Sequence, residues 1–313
     1  MNETISFSLV MPAYKAKFLH LAIKSILNQS YKDYELIIVN DASPENLKVI
    51  VDQFSDDRII YKENKENIGG TDLVANWNHC IQFAKNDYII LATDDDTYES
   101  NFLLNASKLI SKYPEVNLIR SGVNKIGEQD QVLDLEFPLK EYMTCREFVL
   151  CWAKGYTISC ISNYIFKRKP LLAIGGFVSF PHAHFSDDAT VFSMAGHGVA
   201  CISNNCTNFR VSDINLSNHK NYKVAIKQIH ATDIFFSWYL KYVSKLNTTP
   251  DTFFERVCYG GGKSKYLTLV EKLVSKVPVK KAYLAINTIL KLRHIFKNEK
   301  AKLILHYFMN KIC

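Results

Sequence analysis

The sequence lacks a Cys-x-x-Cys pair and any histidine-rich segment at zinc-ligand spacing, so no structural zinc site is expected. Its eight cysteines, from Cys80 to Cys313, are read instead as reduced, mostly buried thiols. No apolar run approaches the roughly 18 residues of a membrane span. Met1 to Val10 carries neither the basic region nor the long apolar region of a signal peptide, and the chain is expected in the cytoplasm. Internal repeats and low-complexity tracts are missing too, which argues against a repeat array. Acidic residues are scarce in one place only. Lys263 to Cys313 holds twelve Lys and Arg against two Asp and Glu, a segment charge of +10 within a total of +7. The first 262 residues therefore sum to −3, so no nucleic-acid partner is expected, and any anionic surface would meet the C-terminal segment.

What is present is the composition of a globular protein, 48% hydrophobic and 22% charged, long enough for one large α/β domain with an appendage. Ser6 to Met11 is a short apolar run stopped by Pro12, as in a buried strand. Leu19, Ala22, Ile26 and Leu27 then recur at helical spacing, before Tyr34 to Asn40 starts a second buried strand. The alternation continues with helix at Pro44 to Phe54, strand at Arg58 to Lys62, helix at Asn76 to Lys85, strand at Tyr88 to Ala92 and helix at Ser100 to Lys112. Such a rhythm predicts an α/β fold with a mainly parallel sheet flanked by helices, whose ligands bind at the carboxyl ends of the strands. Beyond a strand at Val116 to Ser121 the rhythm becomes irregular, with a helix at Thr144 to Lys154 and strands near Cys160 to Phe166.

Three acidic groups follow expected strand ends or loops: Asp41, Asp94-Asp95-Asp96 and Asp187-Asp188. Adjacent carboxylates repel one another unless water or a cation compensates them. A hard divalent ion suits one or two carboxylates plus phosphate oxygens. The plainer reading is that these aspartates cap the helices that follow.

The motifs agree in order with a known pattern. Val10-Met11-Pro12-Ala13-Tyr14 is similar to V-x-P-x-Y-N, Ser25 to Tyr31 to S-x-L-x-Q-T-Y, and Glu35 to Ser43 to E-x-I-x-V-D-D-G-S. Asn67-Ile68-Gly69 matches N-x-G, Asp94-Asp95-Asp96 lies at the D-x-D position, and Ile174 to Phe177 followed by Asp187-Asp188 resembles G-G-F and a later E-D pair. Over about residues 5 to 215 the chain resembles glycosyltransferase family 2, inverting enzymes of the GT-A fold. It departs from the pattern at Lys15 for Asn, Asn40 for Asp, Thr93 for the first Asp of D-x-D, and Asp187 for Glu.

The resemblance implies that Pro12, Tyr14, Asp41, Asn67, Gly69 and Asp94 bind a donor nucleotide, with Tyr14 stacking on the base and Asp41 accepting from its edge. Read as a residue alone, a Tyr after Pro could equally be a packed core ring. Asp95, with Asp94, would hold Mn²⁺ or Mg²⁺ at the diphosphate; Asp188 would be the general base, and Asp187 the reserve candidate. The implied reaction moves a sugar from a nucleotide diphosphate donor, UDP-sugar favoured, to a saccharide or lipid-linked saccharide in surface polysaccharide synthesis. A sugar-1-phosphate nucleotidyltransferase would need a Gly-rich, Arg- or Lys-bearing loop after the first strand, which is missing. A non-catalytic sugar-nucleotide-binding or membrane scaffold protein is the remaining alternative.

Residues 1–220 are read as the catalytic domain, with a nucleotide-binding half at about 1–121 and an acceptor half at about 122–220. Arg210 is read either as a phosphate partner or as a surface salt bridge, and His182 and His184 as acceptor-side residues rather than metal ligands. Residues 221–313 form a basic helical region, with Gly260-Gly261-Gly262 read as a flexible join. Tyr266, Leu269, Val270, Leu273, Val274 and Val277 make one apolar stripe. Two readings of 263–313 stay open: peripheral contact with the inner face of the cell membrane, or packing on the catalytic domain or on another subunit of an oligomer.

Overall fold

The apolar runs before Pro12, Asn40 and Ala92 form the centre of one sheet. The computed structural model describes residues 5–214, 221–247 and 251–311. The end of the expected catalytic domain, 215–220, lies outside the described residues. β1 (Phe7–Ala13) pairs in parallel with β2 (Tyr34–Asn40) on one side and with β4 (Tyr88–Leu91) on the other, and β2 pairs with β3 (Ile59–Glu63). The intervening helices are α1 (Leu19–Leu27), α2 (Leu47–Val51) and α3 (Leu73–Cys80), the last extended by a 3-10 turn at Ile81–Phe83. Both faces of the central strands are covered, which is why their sequences read as unbroken apolar runs.

Past β4 the chain turns through β5 (Thr97–Tyr98) into α4 (Phe102–Lys112), then β6 (Leu118–Ile126), β7 (Val132–Leu135), β8 (Tyr142–Met143) and α5 (Cys145–Lys154). β9 (Tyr164–Lys167), α6 (Arg168–Ala173), α7 (Ser186–Met194) and β10 (Val199–Arg210) follow. The main strand order is β3-β2-β1-β4-β9-β6-β10-β5, with β7 on β6 and β8 on β10. β9 runs antiparallel between β4 and β6, while β6 and β10 run parallel, so six strands share one direction. Leu9, Met11, Ile23, Ile26, Leu36, Ile38, Ile90, Leu103, Ile119 and Ile165 belong to one buried cluster on this sheet.

Two compact units divide the chain. The sheet unit comprises Met1–Phe148, Tyr156–Ser179 and Ser186–Val211; the helical unit comprises Val149–Gly155, Phe180–Phe185 and Ser212–Cys313. The helical unit is built on α8 (Tyr222–Leu246), α9 (Thr252–Val274), α10 (Ala282–Lys291) and α11 (Lys297–Met309). Its core is aromatic. Trp152 and Tyr239 lie 5.0 Å apart by ring centroid, Phe236 stacks on Tyr266 at 4.8 Å, and the Tyr266 hydroxyl donates to Asp233, which Arg293 also holds.

The triple glycine is not a join. It lies inside α9, where a β-carbon on Gly261 would come within 2.6 Å of the Ala153 carbonyl oxygen and one on Gly262 within 2.5 Å of the Tyr239 ring. Gly261 and Gly262 are there for close approach, because neighbouring groups fill the space that side chains would occupy, whereas a side chain at Gly260 would meet open space.

Candidate active site

Strand register decides where the crevice opens. β1 keeps pairing with β2 as far as Ala13↔Asn40, but its pairing with β4 stops at Val10↔Leu91. Pro12, with no N–H to offer, therefore falls just where β4 diverges. The gap between the ends of β1 and β4 is filled by the loop from Ala92 to Asp96.

Asp94 binds that loop to the end of β1. Its Oδ2 accepts the backbone N–H groups of Tyr14 at 2.9 Å and Lys15 at 2.8 Å. The Lys15 ammonium lies 3.6 Å from Asp94 Oδ1 and 3.2 Å from Asp95 Oδ2, so one cation serves two largely buried carboxylates. Burial raises the Asp94 pKa, and the Asp95 charge adds to the rise despite the pull of Lys15. The Lys15 pKa is also raised: burial works against its charge, but Asp94 and Asp95 together outweigh burial. One ammonium therefore faces two adjacent, largely buried carboxylates.

Asp96 faces inward. Its Oδ2 accepts the Ser162 hydroxyl at 2.6 Å and its Oδ1 the Arg210 N–H at 2.9 Å; burial, then the Asp95 charge, pushes its pKa up to about 7. Arg210 is buried, not a surface residue, and its guanidinium donates to the carbonyls of Asp95 and Gly127 at 2.9 Å each. Its Nη2 also lies 2.7 Å from the carboxylate of the exposed Asp130, so the expected ion pair is present, made by a buried guanidinium that at the same time holds the acidic loop from behind.

Asp41 follows β2 and is 3% exposed. Its Oδ1 accepts from Asn64 Nδ2 at 2.7 Å and from the Ile68 N–H at 3.0 Å, and its Oδ2 from the Gly69 N–H at 2.7 Å. A carboxylate offers about four lone-pair directions, so these three donors leave room for one more. Gly69 is required by this contact, because a β-carbon there would lie 2.8 Å from Asp41 Oδ2. Asn67 shapes the same loop by accepting the Gly70 N–H. The next residue after Asp41, Ala42, stands where the motif has Gly and has a φ of 50°, a left-handed conformation that suits Gly better. The Tyr14 ring is 40% exposed, which answers the sequence-level ambiguity: it is not a core ring.

Asp187 and Asp188 occupy the first turn of α7, where the positive helix end favours carboxylates. The Asp188 N–H donates to Asp187 Oδ1 at 2.9 Å, and burial, then the Asp188 charge, raises the Asp187 pKa to about 8. Cys160 links the two acidic groups. Ser162 donates its O–H to Asp96, and its oxygen also lies 3.4 Å from the Cys160 sulfur, whose thiol is raised by burial and by the charges of Asp96 and Asp187. Cys160 thus feels the charges of both Asp96 and Asp187, while Asp41 follows β2, which pairs with β1. His182 and His184 belong to the helical unit, where burial lowers His184 to about 4.

The donor set suits a hard cation. Asp94 and Asp95 offer oxygens only, and the Lys15 ammonium already stands where positive charge is needed. Among the described residues no group of three or more His, Cys, Asp and Glu converges on one point. Two carboxylates are the complement that Mg²⁺-type sites use when phosphate oxygens supply the rest.

A family model described as glycosyl transferase family 2 matches residues 8–174, over half of the 313-residue chain. The chain belongs to glycosyl transferase family 2. Within the family, it is 34% identical over 170 residues to the GalNAc(5)-diNAcBac-PP-undecaprenol beta-1,3-glucosyltransferase of Campylobacter jejuni, covering 52% of this chain and 53% of that one. It is 27% identical over 174 residues to the amylovoran biosynthesis glycosyltransferase AmsB of Erwinia amylovora, 47% and 56% of the two chains. The chain spans about half the length of the curated relatives it matches. Among solved structures, S. aureus TarS 1-349 in complex with UDP-GlcNAc is similar at a TM-score of 0.66 and 14% identity, over 98% of this chain and 91% of that one. The mannosyltransferase PcManGT of Pyrobaculum calidifontis, in complex with GDP-Man and Mn2+, is similar at 0.54 and 15% identity, over 99% and 87%. The fold of this family 2 member is of the GT-A type.

Proposed function

We propose that this family 2 chain transfers a sugar, with inversion, from a nucleoside diphosphate donor to a hydroxyl of a saccharide or lipid-linked saccharide. The observation that carries the reading is the convergence of Asp94 and Asp95 on one cation beside the exposed Tyr14 ring, at the carboxyl ends of adjacent parallel strands. A UDP-sugar is the favoured donor, supported by the UDP-GlcNAc and UDP complexes of TarS. An acceptor on a lipid pyrophosphate is supported by the name of the Campylobacter relative. In this reading Pro12, Asn67 and Gly69 shape the nucleotide site, Tyr14 stacks on the base, and Asp41 uses its remaining lone pair on the base edge. Asp94 reaches the ribose and, with Asp95, holds the cation, Mn²⁺ or Mg²⁺. A divalent cation bound there supplies Lewis-acid stabilisation of charge on the departing diphosphate. Asp188 takes the acceptor proton, with Asp187 hydrogen-bonded to its N–H.

The Asp95→Ala chain should lose metal-dependent donor binding in calorimetry, whereas Asp188→Asn should bind donor as the wild type does and lose at least about a hundredfold in transfer. Transfer by Asp188→Asn at the wild-type rate would remove Asp188 as the base. Donor binding without turnover in the wild-type chain across an acceptor panel would favour the non-catalytic alternative.

A second element of the proposal is peripheral contact with an anionic lipid surface at the inner face of the membrane, which would keep the enzyme in the cytoplasm. It is supported by exposed Tyr283, Leu290, Phe296, Leu305 and Met309 lying among the lysines of the C-terminal segment.

A further inference from the structure

We propose that Lys15 is a tethered counter-ion of Asp94 and Asp95, which a divalent cation must displace before the two carboxylates can hold it. This rests on the metal reading of that pair. Lys15 stands where the family pattern carries Asn, directly after Tyr14. Its N–H is fixed on Asp94 Oδ2 at 2.8 Å, while its ammonium reaches back to Asp94 Oδ1 and Asp95 Oδ2. The backbone is therefore anchored and the charge is on a flexible stem. The side chain is 25% exposed against 8% and 11% for its two partners, so water reaches the pair from the lysine side.

An ammonium and a divalent ion compete here for the same oxygens. A cation coordinated by both carboxylates would sit within a few ångströms of the present Nζ position, where like charges repel strongly in a partly dry site. Lys, a compact charge on four rotatable carbons, can swing into solvent without moving the main chain, which a forked, hydrogen-bonded guanidinium does less readily. Two consequences follow. Without metal, Lys15 supplies the compensation that adjacent buried carboxylates need, and the loop after β4 keeps its shape. On loading, one positive charge is exchanged for two beside two adjacent carboxylates, which favours divalent over monovalent ions, at an affinity weakened by the cost of expelling the lysine.

The test is direct Mn²⁺ uptake by the full chain, read from loss of the free-ion electron paramagnetic resonance signal, together with thermal midpoints with and without Mn²⁺. Wild type, Lys15→Met, Lys15→Asn and Lys15→Arg are compared at one pH and ionic strength. Asn is the residue that the family pattern accepts at this position, so that variant keeps the test independent of how well the Met form folds. The neutral variants should bind Mn²⁺ about tenfold more tightly than wild type, and Lys15→Arg no more tightly. The neutral variants should also melt lower than wild type without Mn²⁺ and gain more from its addition. Equal or weaker Mn²⁺ binding by both neutral variants overturns the counter-ion proposal and leaves the metal reading standing. Absence of Mn²⁺ uptake by every form, with UDP added, removes the metal reading itself and this proposal with it.

Discussion

Asp41 shows how a single carboxylate can be both a structural and a recognition group. Three donors from the loop after β3 hold it, and the Gly69 N–H approaches so closely that no side chain fits at that position. Gly69→Ala should push the carboxylate off its donors and weaken UDP binding by about tenfold or more, a loss of at least ~1.4 kcal/mol, readable by calorimetry. Unchanged affinity would mean that Asp41 plays no part in holding the nucleotide. Asp187 offers a test by pH. Its carboxyl keeps its proton in the folded chain to about pH 8, while in the unfolded chain it ionises near pH 4. The folded state therefore binds more protons through that window, and stability falls as pH rises from about 4 to about 8. Asp187→Asn removes this contribution, so the drop in thermal midpoint between pH 5 and pH 9 should be smaller than in wild type. Equal drops would show that the carboxyl ionises as freely folded as unfolded.

Elements built from continuous apolar runs were legible in the sequence, and those whose identity depends on partners were not. β1, β2 and β4 announce themselves because both faces are buried, and the residues just past their ends, Tyr14, Asp41 and Asp94-Asp95, could be named for the same reason. The full length of β10 was hidden by the polar run Ser203-Asn204-Asn205, where its register against β6 shifts. α8, a helix of 25 residues, was legible only as part of a helical C-terminal region, and its packing was not, because its burial depends on aromatic neighbours such as Trp152. The role of Lys15 needs side-chain reach across 80 positions, which spacing does not reveal. Arg210, at the end of β10, belongs with these. Its guanidinium satisfies the buried carbonyls of Asp95 and Gly127, so it holds the acidic loop and the turn after β6 together. Arg210→Ala orphans both, at about 1–3 kcal/mol each, and should lower chemical-denaturation stability by roughly 2–4 kcal/mol. A change under about 0.5 kcal/mol would show that water replaces the guanidinium freely.

At the scale of the whole molecule, charge and apolar surface are distributed in a way that bears on where the enzyme works. The stripe expected on residues 266–277 is consumed by packing within the helical unit, since Tyr266, Val270, Leu273, Val274 and Val277 are all buried. It is therefore not the surface that a lipid would meet. The exposed apolar residues lie farther on, at Tyr283 and Leu290 of α10, Phe296 before α11, and Leu305 and Met309 of α11, with Lys280, Lys281, Lys291, Lys297 and Lys302 in the same stretch. Among the described residues no helix is long and apolar enough to cross a membrane. Interfacial binding needs only shallow apolar insertion backed by basic charge, each Lys contributing about 1 kcal/mol near an anionic surface. Reversing Lys280 and Lys281 to Glu in the full chain changes the charge by four without touching the buried stripe. Sedimentation with vesicles containing anionic phospholipid should fall by more than about tenfold for this variant, whereas zwitterionic vesicles should bind neither form well, and raised salt should weaken the wild type toward the variant. Equal sedimentation of both forms with anionic vesicles would remove the lipid contact and leave the basic segment as a solvated face of the helical unit.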